Sequence, residues 1–233
     1  MTEKKLKIAV LFRGPVRPTI PSVLARCDEF MSQFRQVENA EFTTYLATWR
    51  TWKDIKAADL VAMDRFDNVL MQTQMSDTQI ADFTKVQRLP GGHTIRSVWN
   101  QYHQCKVALD WVADSDRYDF IVHSRTDIIM QFGPHLAQWF DPNAYVAPHV
   151  TGVFAPHAPH IPADQMFLCD QFGVAPAEMM RAAWNYGTME RLGEMIDRAD
   201  IQERIVEWLA ADAQLPLKAA PWAAWTLDPQ RNT

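Results

Sequence analysis

The chain has 233 residues, 48% of them hydrophobic and 22% charged, with a formal net charge of −5. That length and composition suit one globular domain over residues 1–233 with its own core, and exclude disordered and fibrous classes. An acidic balance supplies no general attraction to nucleic acid or to anionic membranes, so nucleic acid is disfavoured as a partner. Cys27, Cys105 and Cys169 are few and far apart, forming neither a disulfide framework nor a zinc-ligand spacing. With no secretory leader and no apolar run of membrane-spanning length, the expectation is a soluble protein of the reducing cytoplasm.

Leu6–Phe12 is a short apolar run closed by Arg13-Gly14-Pro15 and reads as a buried strand and a turn. Ile20, Val23, Leu24, Cys27, Phe30, Met31 and Phe34 then recur at helical spacing, with Pro21 in the tolerated first turn. Phe42–Thr48 is rich in β-branched and aromatic residues and reads as a second strand. A helix over Trp52–Met63 and a third strand over Asn68–Met71 complete a strand–helix alternation, which predicts an α/β fold with a mainly parallel sheet flanked by helices.

Gln72–Thr94 has little periodicity and contains Pro90-Gly91-Gly92. It reads as a long loop that borders the site, mobile until a ligand orders it. Helical spacing returns over Ile95–Val112. Tyr118–Ser124 is an interior strand ending at Arg125-Thr126-Asp127. Beyond it the pattern weakens. Tyr145–Val153 suggests one or two short strands, Ala177–Tyr186 and Ile201–Ala211 suggest helices, and Leu215–Lys218 a last strand.

Ligands of open parallel sheets bind beyond the carboxyl ends of the strands. Three such ends carry polar groups here: Arg13, Gly14 and Arg17 after the first strand, Thr48, Trp49 and Arg50 after the second, and Arg125 and Asp127 after the interior one. Glycine allows close backbone approach, and guanidinium groups match phosphate oxygens in pairs. Equally, two arginines on a turn are often only solvated. Asp127 is placed to hold a divalent cation, or else to cap a turn or pair with Arg125. Asp164, before the apolar Met166-Phe167-Leu168, reads as a helix N-cap, a second ligand or a proton acceptor. His149, His157 and His160 share a proline-rich loop and are candidate metal ligands. Glu203 opens a helix, where an acid favours the dipole. Dinucleotide, P-loop and Gly-x-Ser-x-Gly fingerprints are absent, which weakens dehydrogenase, NTPase and esterase readings.

The segments KIAVLFRGPVR (Lys7–Arg17), LATWRTW (Leu46–Trp52), NQYHQCKVAL (Asn100–Leu109), YDFIVHSRTDI (Tyr118–Ile128) and ADQMFL (Ala163–Leu168) follow one another in order. This series resembles the GT-A-type glycosyltransferases of the WavE-like group, which act in lipopolysaccharide and capsule polysaccharide biosynthesis. The resemblance implies a GT-A-like fold and sugar transfer from a nucleotide-sugar donor to a glycan or lipid-linked acceptor. It implies donor contacts from Arg13, Gly14, Arg17, Thr48, Trp49 and Arg125, and Mn²⁺ or Mg²⁺ held by Asp127. It also implies Asp127 and Asp164 as catalytic carboxylates. Arg125 stands where the commoner pattern has a first aspartate, which opens the alternative of arginine in the metal's place. A binding module that lost transfer, and a metal-dependent hydrolase, are the rival readings.

Overall fold

The computed structural model describes residues 4–16, 19–49, 61–90, 92–115, 117–132, 136–148, 169–219 and 223–227. Strand β1 (Leu6–Arg13) is apolar on both faces, as a central strand covered on both sides must be. It lies between β2 (Ala40–Trp49) and β4 (Phe120–Arg125), parallel to both, and β3 (Asn68–Gln72) adds in parallel beyond β2. These are the four strands that the sequence predicts, while most of the helix expected over Trp52–Met63 lies outside the described residues.

The sheet then changes direction. β7 (Phe172–Pro176) pairs antiparallel with β4, β6 (Tyr145–Ala147) antiparallel with β7, and β8 (Leu217–Ala219) parallel with β6. The order is β3-β2-β1-β4-β7-β6-β8. A separate antiparallel pair joins β5 (Ile128–Phe132) to β9 (Ala223–Leu227). The mixed, mostly parallel sheet flanked by helices is the expected α/β class. Strands β5, β7 and β9 had no sequence expectation.

Two cores flank the sheet. On one face α1 (Ile20–Phe34) buries all seven residues of its predicted stripe against Ile8, Val10, Phe12, Phe120 and Val122. Thr19 caps it, its hydroxyl accepting from the Ser22 amide at 3.4 Å. On the other face α3 (Ile95–Ser115) packs Val98, Tyr102, Cys105, Leu109 and Val112 against Ala9, Leu11, Tyr45 and Ile121. Helices α4 (Ala177–Ala183), α5 (Met189–Arg198) and α6 (Glu203–Asp212) extend that layer.

Between β3 and α3 the expected loop contains a one-turn helix, α2 (Asp77–Ile80), closed by a capping box between Ser76 and Gln79. The segment is also tethered. Asp197 of α5 accepts from the Thr84 hydroxyl at 2.5 Å and from the Lys85 and Val86 amides at 2.9 and 3.2 Å. Phe83 stacks on Trp99 with centroids 5.5 Å apart. These contacts fix residues 83–86 to the helical layer.

Candidate functional site

In parallel strands, residues at the same register share a face. Arg13 of β1 pairs in register with Arg125 of β4 and with Ala47 of β2. Two guanidinium groups therefore stand side by side at the carboxyl end of the central strands, on the α3 face. Trp49 ends β2 on the same face. These three residues, Gly14, Pro15 and the first turns of α3 line a cleft of about 240 Å³. From α3 and the residue before it come Thr94, Arg96, Ser97, Asn100 and Gln101, and from the preceding segment Gln74.

The β1 turn is held from both sides. Gly14 has φ +134°, and a β-carbon on it would lie 2.9 Å from the Thr126 hydroxyl oxygen. Its amide donates to the Ala47 carbonyl at 3.0 Å, and its carbonyl accepts from the Thr48 hydroxyl at 2.9 Å. The Thr126 amide donates to the Arg13 carbonyl at 2.9 Å and its hydroxyl to the Pro15 carbonyl at 2.8 Å. Thr48, expected to touch a donor, is instead fully buried with its hydroxyl committed to this turn. It shapes the cleft without lining it.

Asp127 is 3% exposed, and Arg125 clamps both its oxygens, Nε to Oδ1 at 2.7 Å and Nη2 to Oδ2 at 2.6 Å. A carboxylate so deeply buried needs such a partner. The expected role as a ligand of Mn²⁺ or Mg²⁺ does not fit this arrangement, because both oxygens are occupied by a cationic neighbour. Among the described residues no group of three or more His, Cys, Asp or Glu side chains is arranged to hold a metal ion. Arg17, Arg50, His149, His157, His160 and Asp164 lie outside the described residues.

Beneath the cleft lies a carboxylate with no counterpart in the sequence expectations. Asp170 is 0% exposed. Its Oδ2 accepts from the Gln101 amide and its backbone carbonyl from Arg13 Nη2, while Oδ1 has no partner. Burial raises its pKa, and the charges of Arg13 and Arg125 pull the other way. Glu203, at the start of α6 and 7% exposed, is pushed up to about 8, by burial first and then by Asp170. Arg13, 2% exposed, also lies over the Trp184 ring at 5.0 Å, and its Nε has no partner. Arg13 therefore forms the floor, and Arg125 is the more accessible of the pair, its side chain 19% exposed.

His123 points to the same face one pleat deeper. Its Nε2 meets the Tyr145 hydroxyl at 2.9 Å. Burial, with the Arg13 charge adding to it, holds the ring well below the usual imidazole range and so neutral at physiological pH. A β-carbon at Gly173 would strike that hydroxyl, so glycine is what lets β7 pass over the pair.

Fold and site together define an open, mainly parallel α/β sheet with a cationic cleft at the carboxyl ends of its central strands. No family model and no curated protein matches the chain. Among solved structures it is similar to the galactosyltransferase LgtC bound to donor and acceptor sugar analogues, at 9% identity and TM-score 0.48, over 92% of this chain and 73% of that one. It is similar to mannosyltransferase PcManGT from Pyrobaculum calidifontis with GDP-Man and Mn²⁺, at 10% identity and TM-score 0.48, over 94% and 56%. A third is a candidate nucleotide-diphospho-sugar transferase from Desulfovibrio desulfuricans, at 10% identity and TM-score 0.48, over 92% and 79%. No helix among the described residues is long and apolar enough to cross a membrane.

Proposed function

We propose that the chain is a GT-A-type glycosyltransferase that binds the diphosphate of a nucleotide-sugar donor in the cleft between Arg125 and the start of α3. The observation that carries this reading is the register pairing of Arg13 with Arg125 at one lip of the sheet. Two guanidinium groups there, with the amino end of a long helix opposite, make a site for a doubly charged anion. The ordered motifs that resemble the WavE-like group point the same way.

In this reading the anomeric carbon–oxygen bond of the donor breaks and the diphosphate leaves with the bonding electrons. The acceptor hydroxyl oxygen bonds to that carbon, and its proton passes to a carboxylate, for which Asp164 is the sequence's nominee. Arg125 meets the charge that grows on the leaving diphosphate, with the Arg13 charge beneath it. Fixed charge aimed at a developing anion is often the largest single catalytic contribution. Asp127 acts through Arg125, holding the guanidinium plane in place by two bonds.

The test is calorimetry with UDP and GDP, and with CMP as a nucleotide lacking the diphosphate, followed by a nucleotide-release assay with the matching sugar donors. One nucleotide should bind, its sugar form should turn over, and Arg125→Ala should weaken binding by about ten- to a hundredfold, the worth of a charge-assisted pair. No nucleotide binding refutes the donor reading. Tight binding with no turnover under any acceptor supports the binding-module reading instead.

A further inference from the structure

A second and larger groove, of about 550 Å³, adjoins the cleft and shares Thr94 and Arg96 with it. Its walls come from α2, residues 84–88 and the start of α3. Lys85, Arg88 and Arg96 face it, against a single acid, Asp77. Asp77 sits 3.7 Å from Arg96. Among the described residues Lys85 and Arg88 have no carboxylate partner, and Arg88 Nη1 donates only to the Gly92 carbonyl at 3.2 Å. On a chain of net charge −5 this is a local reversal of sign. Unpaired cations in a concave wall concentrate anions there.

The groove is built rather than incidental. Asp197 fixes the wall that carries Lys85 by accepting from three donors, the Thr84 hydroxyl and the Lys85 and Val86 amides. Gly193 lets α5 press so close to the Phe83 carbonyl that no side chain fits between them. A wall held in place before binding spares a ligand the cost of ordering it. The volume suits a saccharide of one to a few rings. The lining alternates hydroxyl and amide groups (Thr84, Gln87, Thr94) with apolar ones (Ile80, Val86), as the polar rims and apolar faces of sugars require.

We propose that this groove is an acceptor subsite, and that the acceptor is a saccharide carrying a phosphate or carboxylate group that Lys85 and Arg88 recognise. The proposal rests on the glycosyl-transfer reading, because it takes the shared rim at Thr94 and Arg96 as the place where donor and acceptor meet. The charge would fix which acceptor enters, and the rim would set how far its free hydroxyl reaches toward the donor.

The experiment is amide-resolved NMR on the full chain at low salt, titrated separately with glucose 6-phosphate, glucuronic acid, glucose and inorganic phosphate, and with UDP, GDP and CMP. Glucose 6-phosphate or glucuronic acid should shift amides of Thr84–Arg88 and Thr94–Arg96, whereas glucose should not. Whichever of the two acids binds identifies the anionic group. In Lys85→Gln/Arg88→Gln that affinity should fall about tenfold or more, while nucleotide binding, read at Gly14 and Ser97, stays as in the parent. Binding of glucose as strong as its phosphate, or an unchanged affinity in the double variant, overturns the proposal. So does inorganic phosphate binding as well as the sugar phosphate. A failure of the donor reading shows separately, as silence of Gly14 and Ser97 toward all three nucleotides.

Discussion

Glu203→Gln should stabilise the protein, and by more as the pH rises. The side chain is 7% exposed beside the buried Asp170, and its pKa moves from 4.5 to about 8. Below pH 4.5 the carboxyl is protonated in folded and unfolded chains alike and has no effect. Between 4.5 and 8 the unfolded chain releases a proton that the folded chain retains, so each pH unit costs roughly 1 kcal/mol of stability. Glutamine has the same shape and no titration. The gap between variant and parent should therefore widen by roughly 2–3 kcal/mol from pH 5.5 to 7.5. With a urea dependence of about 2 kcal/mol per M, that is a relative midpoint shift of about 1 M. Urea unfolding at pH 5.5, 6.5 and 7.5, followed by tryptophan fluorescence, reads it directly. The helix-dipole role of a first-turn acid predicts the opposite sign, with the parent favoured once the carboxyl ionises. Parallel midpoints across the three pH values, or a variant that loses ground as pH rises, would refute the buried-proton argument.

Asp127→Asn should remove one of the two bonds that orient Arg125 and leave a buried cation without its counter-charge. We expect a loss of about 3 kcal/mol in stability and a fall in nucleotide-sugar turnover of at least about a hundredfold, measured by urea unfolding and nucleotide release on the folded fraction. Gly14→Ala forces a side chain into φ +134° and against Thr126, so it should destabilise by more than about 1 kcal/mol and loosen the β1 turn. The unfolding temperature and the affinity for whichever nucleotide binds should both fall, and an alanine variant as stable as the parent would show that the turn rearranges freely.

The main elements of the first half were legible because each is a run with one dominant pattern. α1 and α3 show their buried stripes residue by residue, and β1 and β4 carry the apolar runs Ile8–Phe12 and Phe120–Val122. The reversal at β7 was not legible. Phe172–Pro176 is five residues long and buried on both faces, so it shows no alternation, and only its pairing with β4 fixes its direction. The segment over Gln72–Thr94 read as a loop because its order comes from Asp197, more than a hundred residues away. At the site, Arg13, Gly14, Trp49 and Arg125 were marked by their places at strand ends, and the structure brings all four to one cleft. Asp170 carried no such mark. It lies between Cys169 and Gln171 outside any periodic stretch, and its partners Gln101 and Arg13 are distant in sequence. Glu203 was visible, but its local signal, an acid in a first helical turn, pointed to the helix dipole rather than to a buried proton.

These residues belong to one electrostatic arrangement, which explains why the acids sit where they do. Two adjacent guanidinium groups at one lip of a sheet repel each other, and burial of Arg13 intensifies that repulsion. Asp127 answers Arg125 by direct clamp. Asp170 lies near both arginines with one oxygen unpartnered, and Glu203 keeps its proton because it is buried and, secondly, because Asp170 is beside it. The cleft is thus held short of full neutralisation. If Glu203 also lost its proton, the acids would cancel more of the charge that draws an anion in. With its proton retained, Glu203 leaves the positive charge of the arginines less cancelled, at a cost in stability that grows with pH.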